Sequence, residues 1–226
     1  MNSKEYALVV AGGKGTRIQS STPKQFLPLN GLPVLMHTLQ AFYNYSEKIS
    51  IVLVLPGKDM EYWHSLCNKY EFAPKLILQE GGETRFQSVK KGLEKIQGDG
   101  LVAIHDGVRP LVSKIIIAES FRLAHLHQSA IAAVKLKESI RITDEDKTQA
   151  VDRSKFRIIQ TPQTFQVSLI KKAYEMPEDL SLTDDASVAE RAGHNISLFE
   201  GSYENLKITT SEDLIVAEAL LNARNS

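Results

Sequence analysis

The sequence predicts an α/β chain: a doubly wound three-layer sandwich whose mostly parallel sheet carries one projecting β-arm. Three observations lead there. Short β-branched apolar runs alternate with longer amphipathic segments. The runs are apolar almost without interruption, as strands covered on both faces are. The alternation breaks once, between Lys135 and Ile159, where the chain turns polar.

Strands are expected at Tyr6–Val10, Ile49–Leu55, Lys75–Leu78, Leu101–His105 and Ala130–Val134. Between them the spacing predicts helices at Val34–Tyr43, Asp59–Tyr70, Phe86–Ile96 and Ser113–His127. Ser113 suits an N-cap, and Ile116, Ser120, Leu123 and His127 fall on one side of that last helix. Lys135–Ile159 holds two alternating polar stretches, KESIRIT and QAVDRSKFRII, around a charged turn. Neither face is apolar enough for a core, so the segment reads as a β-arm at about 136–159. An isolated hairpin is marginal in water, so the arm is expected to pack on a second copy of the chain, making a homodimer. After Thr161-Pro-Gln163 the α/β pattern resumes. Helices are expected at Val167–Met176, Asp184–Ala192 (closed by Gly193) and Glu212–Arg224, with strands at Ile196–Phe199 and Leu206–Ile208. Thr210-Ser-Glu-Asp213 fits a capping box for the last helix.

The bulk numbers set bounds. The 226 residues suit one domain, and 42% hydrophobic with 24% charged residues is an ordinary globular composition. Lys+Arg and Asp+Glu both number 27, so no net field draws in nucleic acid or an anionic membrane, and an anion must be held by a local cluster. A lone cysteine, Cys67, leaves no intramolecular disulfide, and no run is long and apolar enough to span a bilayer. A cytoplasmic location is the expectation.

Ala11-Gly-Gly-Lys-Gly-Thr-Arg17 follows the first strand directly. Its glycines allow a tight turn with bare N–H groups facing an anion, at the strand end where α/β sheets bind ligands. It is not a Walker A loop, because Lys14 is followed by Gly15. Nor is it the dinucleotide fingerprint, because Ile18 stands where a third glycine is needed. Arg17 and Lys24 follow, with Pro23 breaking any helix between them. Each alone would be a solvated surface charge; together, beside a phosphate loop, they are what phosphoryl or nucleotidyl transfer requires of a protein. The small polar run Ile18–Thr22 is expected to order around a nucleotide.

Two further turns sit at strand ends. Gly81-Gly-Glu-Thr-Arg-Phe-Gln-Ser-Val89 offers a flat backbone for a base and a hydroxyl from Ser88. In His105-Asp-Gly-Val-Arg-Pro110, Asp106 is placed for Mg²⁺ or a ribose hydroxyl, and His105 reads as a packed strand-end residue. Trp63 reads as helix packing. Either turn alone could be a plain β–α connection; three suited to one ligand make a site.

AGGKGTR, PKQF, GGxTRxxSV, HDGVRP, QTPQTF, TDDAS and NLKIT occur in this order from Ala7 to the last helix. In this the chain resembles the 2-C-methyl-D-erythritol 4-phosphate cytidylyltransferases of non-mevalonate isoprenoid synthesis. The resemblance implies a single nucleotidyltransferase domain with a Rossmann-like sheet over residues 1–226. CTP would lie over Ala11, Gly12, Gly13, Gly82, Glu83, Ser88 and Asp106, with Mg²⁺ bridging its phosphates and Asp106 as the protein's metal-site residue. Arg17 and Lys24 would stabilise the transition state. Arg153 and Lys207 would hold the phosphate of a small phosphorylated polyol. Ser139 would take the place of a threonine on the arm, keeping its hydroxyl. Because Arg153 lies on the arm, exchange of arms would build each site from two subunits.

Other readings give different expectations. Ribitol-5-phosphate cytidylyltransferases resemble the chain through the same loops, but Val151-Asp-Arg153 and Leu182-Thr-Asp-Asp-Ala-Ser187 favour the methylerythritol family. A sugar-1-phosphate nucleotidyltransferase is opposed by the Gly-Gly-x-x-Arg turn over the base. A nucleotide-binding regulator without catalysis is opposed by the presence of both cation pairs, and a nucleic-acid module by the absence of a basic stripe.

Overall fold

A computed structural model describes residues 3–12, 22–145 and 147–225. The elements run β1 (Glu5–Val10), β2 (Pro28–Leu29), β3 (Leu32–Pro33), α1 (Val34–Tyr45), β4 (Ser50–Leu55), α2 (Gly57–Lys69), β5 (Leu76–Glu80) and α3 (Arg85–Glu94). They continue β6 (Leu101–Asp106), α4 (Lys114–His127), β7 (Ser129–Lys135), β8 (Arg141–Asp144), β9 (Lys147–Ala150) and β10 (Arg157–Gln166). The chain closes with α5 (Val167–Ala173), α6 (Asp185–Arg191), β11 (Leu198–Glu200) and α7 (Ser211–Asn225). Gly13, Arg17 and Ile18–Ser21, singled out above, lie outside the described residues.

Among the described residues, seven strands form one sheet in the order β11-β7-β10-β6-β1-β4-β5. β10 alone runs antiparallel, against both β6 and β7. Alternation along β1 sends side chains to both faces, as the pleat demands. Ala7 and Val9 join a core with α1, α2 and α4, while Tyr6 and Leu8 join a second core with α3, α5 and α6. The expected three-layer sandwich is therefore present. α3 crosses β1 so closely that a Cβ on Gly92 would overlap the Leu8 side chain.

Side-chain caps close the starts of α3, α4, α6 and α7. The Ser113 hydroxyl accepts from the Ile116 amide, and Asp184 and Ser187 form a capping box at α6. At α7, Thr210 Oγ1 accepts from the Asp213 amide while Asp213 Oδ2 accepts from the Thr210 amide. Each such cap contributes about 1 kcal/mol. On α4, however, the buried stripe is Ile116, Ile117, Ser120, Phe121 and Ala124, and His127 is exposed. The helix packs on the sheet one position round from the expected face.

Three expectations need correction. First, the arm is shorter than 136–159: β8 and β9 form an exposed hairpin, but Ile158 and Ile159 pair with Val134 and Ala133 in the main sheet. β10 then runs through Thr161-Pro-Gln163, which the sequence presents as a break. The register shifts between Ile159 and Gln163 around a cis Thr161–Pro162 bond, where a proline can sit because no ladder amide is required of it. Second, Leu206–Ile208 is not a strand; Ile208 donates its amide to the Val108 carbonyl, outside the sheet ladder. Third, the strand expected at Ile196–Phe199 is the edge strand β11, which starts two residues later and ends one later.

Candidate active site

Three backbone hydrogen bonds draw together the C-terminal ends of the central strands. The Ala11 amide donates to Val54 O (3.0 Å), Gly81 to Leu55 O (2.8 Å) and Gly107 to Val10 O (2.8 Å). A Cβ on Gly107 would come 2.7 Å from the Ala11 Cβ, so only glycine lets the turn after β6 lie against the exit of β1.

Over these ends lies a cavity of about 310 Å³, lined by Ala11, Gly12, Lys24, Gly82, Glu83 and Ser88, with Arg85, Asp106 and Lys207 on its wall. Arg85, Asp106 and Lys207 also border a neighbouring cavity of about 240 Å³, closed by Thr161, Gln163, Thr183 and Asp184. Two compartments thus share one charged wall. A larger cavity, about 820 Å³, sits at the opposite end of the sheet near Lys4, Tyr45 and Phe121, away from all three turns.

Asp106 is the centre of that wall. Its Oδ2 lies 3.1 Å from Lys207 Nζ and 3.1 Å from Arg109 Nε, and its Oδ1 faces Arg85 Nε at 4.0 Å. Burial alone would raise its pKa, but Lys207, Arg85 and Arg109 hold the carboxyl well below the usual carboxylate range. The Arg109 NH1 also donates to the Asn205 carbonyl (2.8 Å), which places the Asn-Leu-Lys segment beside Asp106.

Behind Asp106, His105 is fully buried, and burial pushes its pKa down to about 4. A neutral ring fits its partners. Nε2 faces the Arg109 carbonyl at 3.3 Å and must donate, which leaves Nδ1 to accept from the Thr161 hydroxyl at 3.1 Å. Thr161 Oγ1 in turn accepts the Asp106 amide at 3.0 Å. The packing expected of His105 is therefore real, against the Phe42 ring at 5.2 Å, and it also orders the turn that carries Asp106.

Lys24 stands on a single 3₁₀ turn, Lys24–Phe26, opened by Pro23. The next two residues anchor that turn on α2. Gln25 donates to Asp59 Oδ2 (3.2 Å), and Phe26 stacks on Trp63 with centroids 6.4 Å apart. Across the cavity, the Ser88 hydroxyl donates to the Thr84 carbonyl (2.8 Å) and accepts the Gly82 amide (3.1 Å), so its remaining capacity is as an acceptor. Gln87 Oε1 accepts the Glu83 amide (3.1 Å), fixing the same Gly-Gly turn from the other side.

Of the residues singled out in the sequence, Ala11, Gly12, Lys24, Gly82, Glu83, Ser88, Asp106 and Lys207 border one cavity. Gly13 and Arg17 lie outside the described residues. Ser139 and Arg153 do not line either compartment within one chain; both are exposed on the arm, where the Arg153 guanidinium donates to the Lys137 carbonyl. Arg85, Arg109, Thr161, Gln163 and Asp185 went unassigned in the sequence, although each stands inside one of its quoted motifs.

The profile of the family described as 2-C-methyl-D-erythritol 4-phosphate cytidylyltransferase matches residues 6–223. The chain belongs to that family. A relative so named from Bacteroides fragilis is 48% identical over 215 residues, covering 95% of this chain and 98% of its own. One from Porphyromonas gingivalis is 46% identical over 224 residues, 99% of this chain and 100% of its own. Among solved structures, the 4-diphosphocytidyl-2C-methyl-D-erythritol synthase of Anaerococcus prevotii superposes with a TM-score of 0.83 at 29% identity, covering 97% and 96% of the two chains. The cytidylyltransferase of Thermus thermophilus gives 0.77 at 28% identity, covering 98% and 100%.

Proposed function

We propose that the chain joins CTP and 2-C-methyl-D-erythritol 4-phosphate to give 4-diphosphocytidyl-2-C-methyl-D-erythritol and pyrophosphate, a step in isoprenoid precursor synthesis. The observation that carries this reading is the pair of cavities meeting at Asp106, Arg85 and Lys207. The nucleotide takes the compartment under Gly12 and the Gly82 turn, and the phosphorylated polyol takes the one under Thr161 and Thr183.

The difficulty in the reaction is charge. A triphosphate with about four negative charges must meet a phosphate dianion, and positioning plus electrostatic stabilisation supplies most of the catalysis. Lys24 at the cavity edge, together with Arg17, draws charge from the α-phosphoryl group. Lys207 and, from the arm of a second subunit, Arg153 hold the acceptor phosphate, with Ser139 beside it. One acceptor phosphate oxygen then attacks the α-phosphorus in line. The bond from that phosphorus to the β-phosphate oxygen breaks, and pyrophosphate leaves. The nucleophile is already an anion, so no residue has to remove a proton.

The expected Mg²⁺ fits only as a cation brought in with the nucleotide. Among the described residues, no group of three or more His, Cys, Asp or Glu is set to hold a metal, and Asp106 is the carboxylate bordering both cavities. One carboxylate with substrate phosphates is an ordinary ligand set for Mg²⁺. Asp106 would be the residue that holds it, and it would supply positive charge to offset that of the triphosphate. A homodimer through the arm and a cytoplasmic location complete the reading. The exposed apolar side chains of Ile142 and Phe156 on and beside the hairpin support the former.

The test is pyrophosphate release from CTP and Mg²⁺ with 2-C-methyl-D-erythritol 4-phosphate, run beside D-ribitol 5-phosphate. Turnover with the first acceptor alone is expected. Turnover with ribitol 5-phosphate alone would overturn the acceptor assignment.

A further inference from the structure

Arg85 opens α3 and occupies the wall common to both cavities, yet its guanidinium faces two ways. NH1 and NH2 bond the two oxygens of Asp185 at 2.7 and 2.5 Å, while Nε faces Asp106 Oδ1 at 4.0 Å. Asp185 is completely buried at the start of α6, and the Tyr174 hydroxyl donates to its Oδ1 at 2.6 Å. A planar fork bonded at both tines to one carboxylate has a fixed orientation, and a buried partner cannot drift. Next to it, Asp106 Oδ2 already takes Lys207 and Arg109.

We propose that Asp185 is a positioning residue that acts through Arg85: it holds the fork away from Asp106, so that Asp106 stays with Lys207 and Arg109 and the wall keeps its shape toward both substrates. Without the Asp185 charge, the nearest anion for the fork is Asp106. A bidentate Arg85–Asp106 pair would draw Asp106 off Lys207 and move one wall residue in each compartment. Tyr174 adds a second hold on Asp185, and Gln163 ties the same helix end to β10. Its Nε2 donates to Asp184 (2.9 Å), and its Oε1 accepts the Ala186 amide (2.8 Å). Asp185 lines neither cavity, and its side-chain bonds to the Arg85 guanidinium link it to the shared wall.

The inference rests on the cytidylyltransferase reading for its substrates, and its test separates the two. Wild-type turnover with the two acceptors decides the reaction, whereas the dissociation constant of CTP, measured by calorimetry, decides Asp185 whichever acceptor is used. Asp185→Asn is expected to weaken CTP binding about tenfold and to raise the KM of the acceptor about tenfold, with kcat reduced less than about threefold. The double variant Arg85→Gln/Asp185→Asn is expected to match Arg85→Gln alone, because nothing remains for Asp185 to position. Values for Asp185→Asn within about twofold of wild type, a change confined to one substrate, or losses that multiply in the double variant would each overturn the proposal. Should Asp185→Asn not fold, Tyr174→Phe removes one hydroxyl only. It is expected to shift both constants in the same direction by about two- to threefold, and no shift in either would refute the proposal.

Discussion

Lys207 Nζ lies 3.1 Å from the Asp106 carboxylate, although 101 positions separate them in the chain. The pair joins the end of β6 to the segment before α7, on the wall both cavities share. The Asp106 carboxylate holds the Lys207 ammonium at the border of both cavities, where the proposed reaction needs a cation for the acceptor phosphate.

Lys207→Met should therefore act on acceptor binding more than on the nucleotide. A loss of about tenfold to a hundredfold in kcat/KM for the phosphorylated acceptor is expected, with CTP affinity changed by less than about threefold. Steady-state kinetics with each substrate varied in turn would check this.

Lys24→Ala should cost on the order of 10²–10³ in kcat, the scale for losing one preorganised charge-stabilising donor. The turn bearing it is held by Gln25 and Phe26, so the fold should survive. A kcat within about threefold of wild type, in a variant whose circular dichroism is unchanged, would contradict the role given to Lys24.

His105 makes stability pH-dependent in a defined window. Its folded pKa, about 4, lies below its ordinary value of 6.5, so between these the unfolded chain binds the extra proton. Stability from the neutral ring is complete above about pH 6.5 and is lost as pH falls toward 4. The full effect is on the order of 3 kcal/mol. Urea unfolding at pH 7 and pH 4.5 should show this loss in the wild type and a smaller one in His105→Gln.

If arms are exchanged, Arg153 and Lys207 of one site come from different subunits. Mixing Arg153→Ala with Lys207→Met in equal amounts should then restore about a quarter of wild-type activity, since half the dimers carry one intact site of two. Mixtures no more active than the two variants averaged would show that each site is built within one chain.

The β-branched apolar runs determined the buried strands β1, β4, β6 and β7, because such a run is covered on both faces in a parallel sheet. The glycine turns at strand ends pointed to the end of the sheet where the cavity lies, and the quoted motifs include Lys24, Asp106 and Lys207, which border it. β10 was not legible. RIIQTPQTFQ is polar and interrupted by proline, and its stretch from Gln160 to Phe165 is buried with Gln163, Thr161 and Gln160 bonded to distant segments. Nor could any motif show that Arg85 answers to Asp185, 100 residues away, as well as to Asp106. Periodicity reports which side chains leave water. Which charge faces which depends on the crossing of β6, β10 and α6, and that is decided only when the sheet closes and its helices dock.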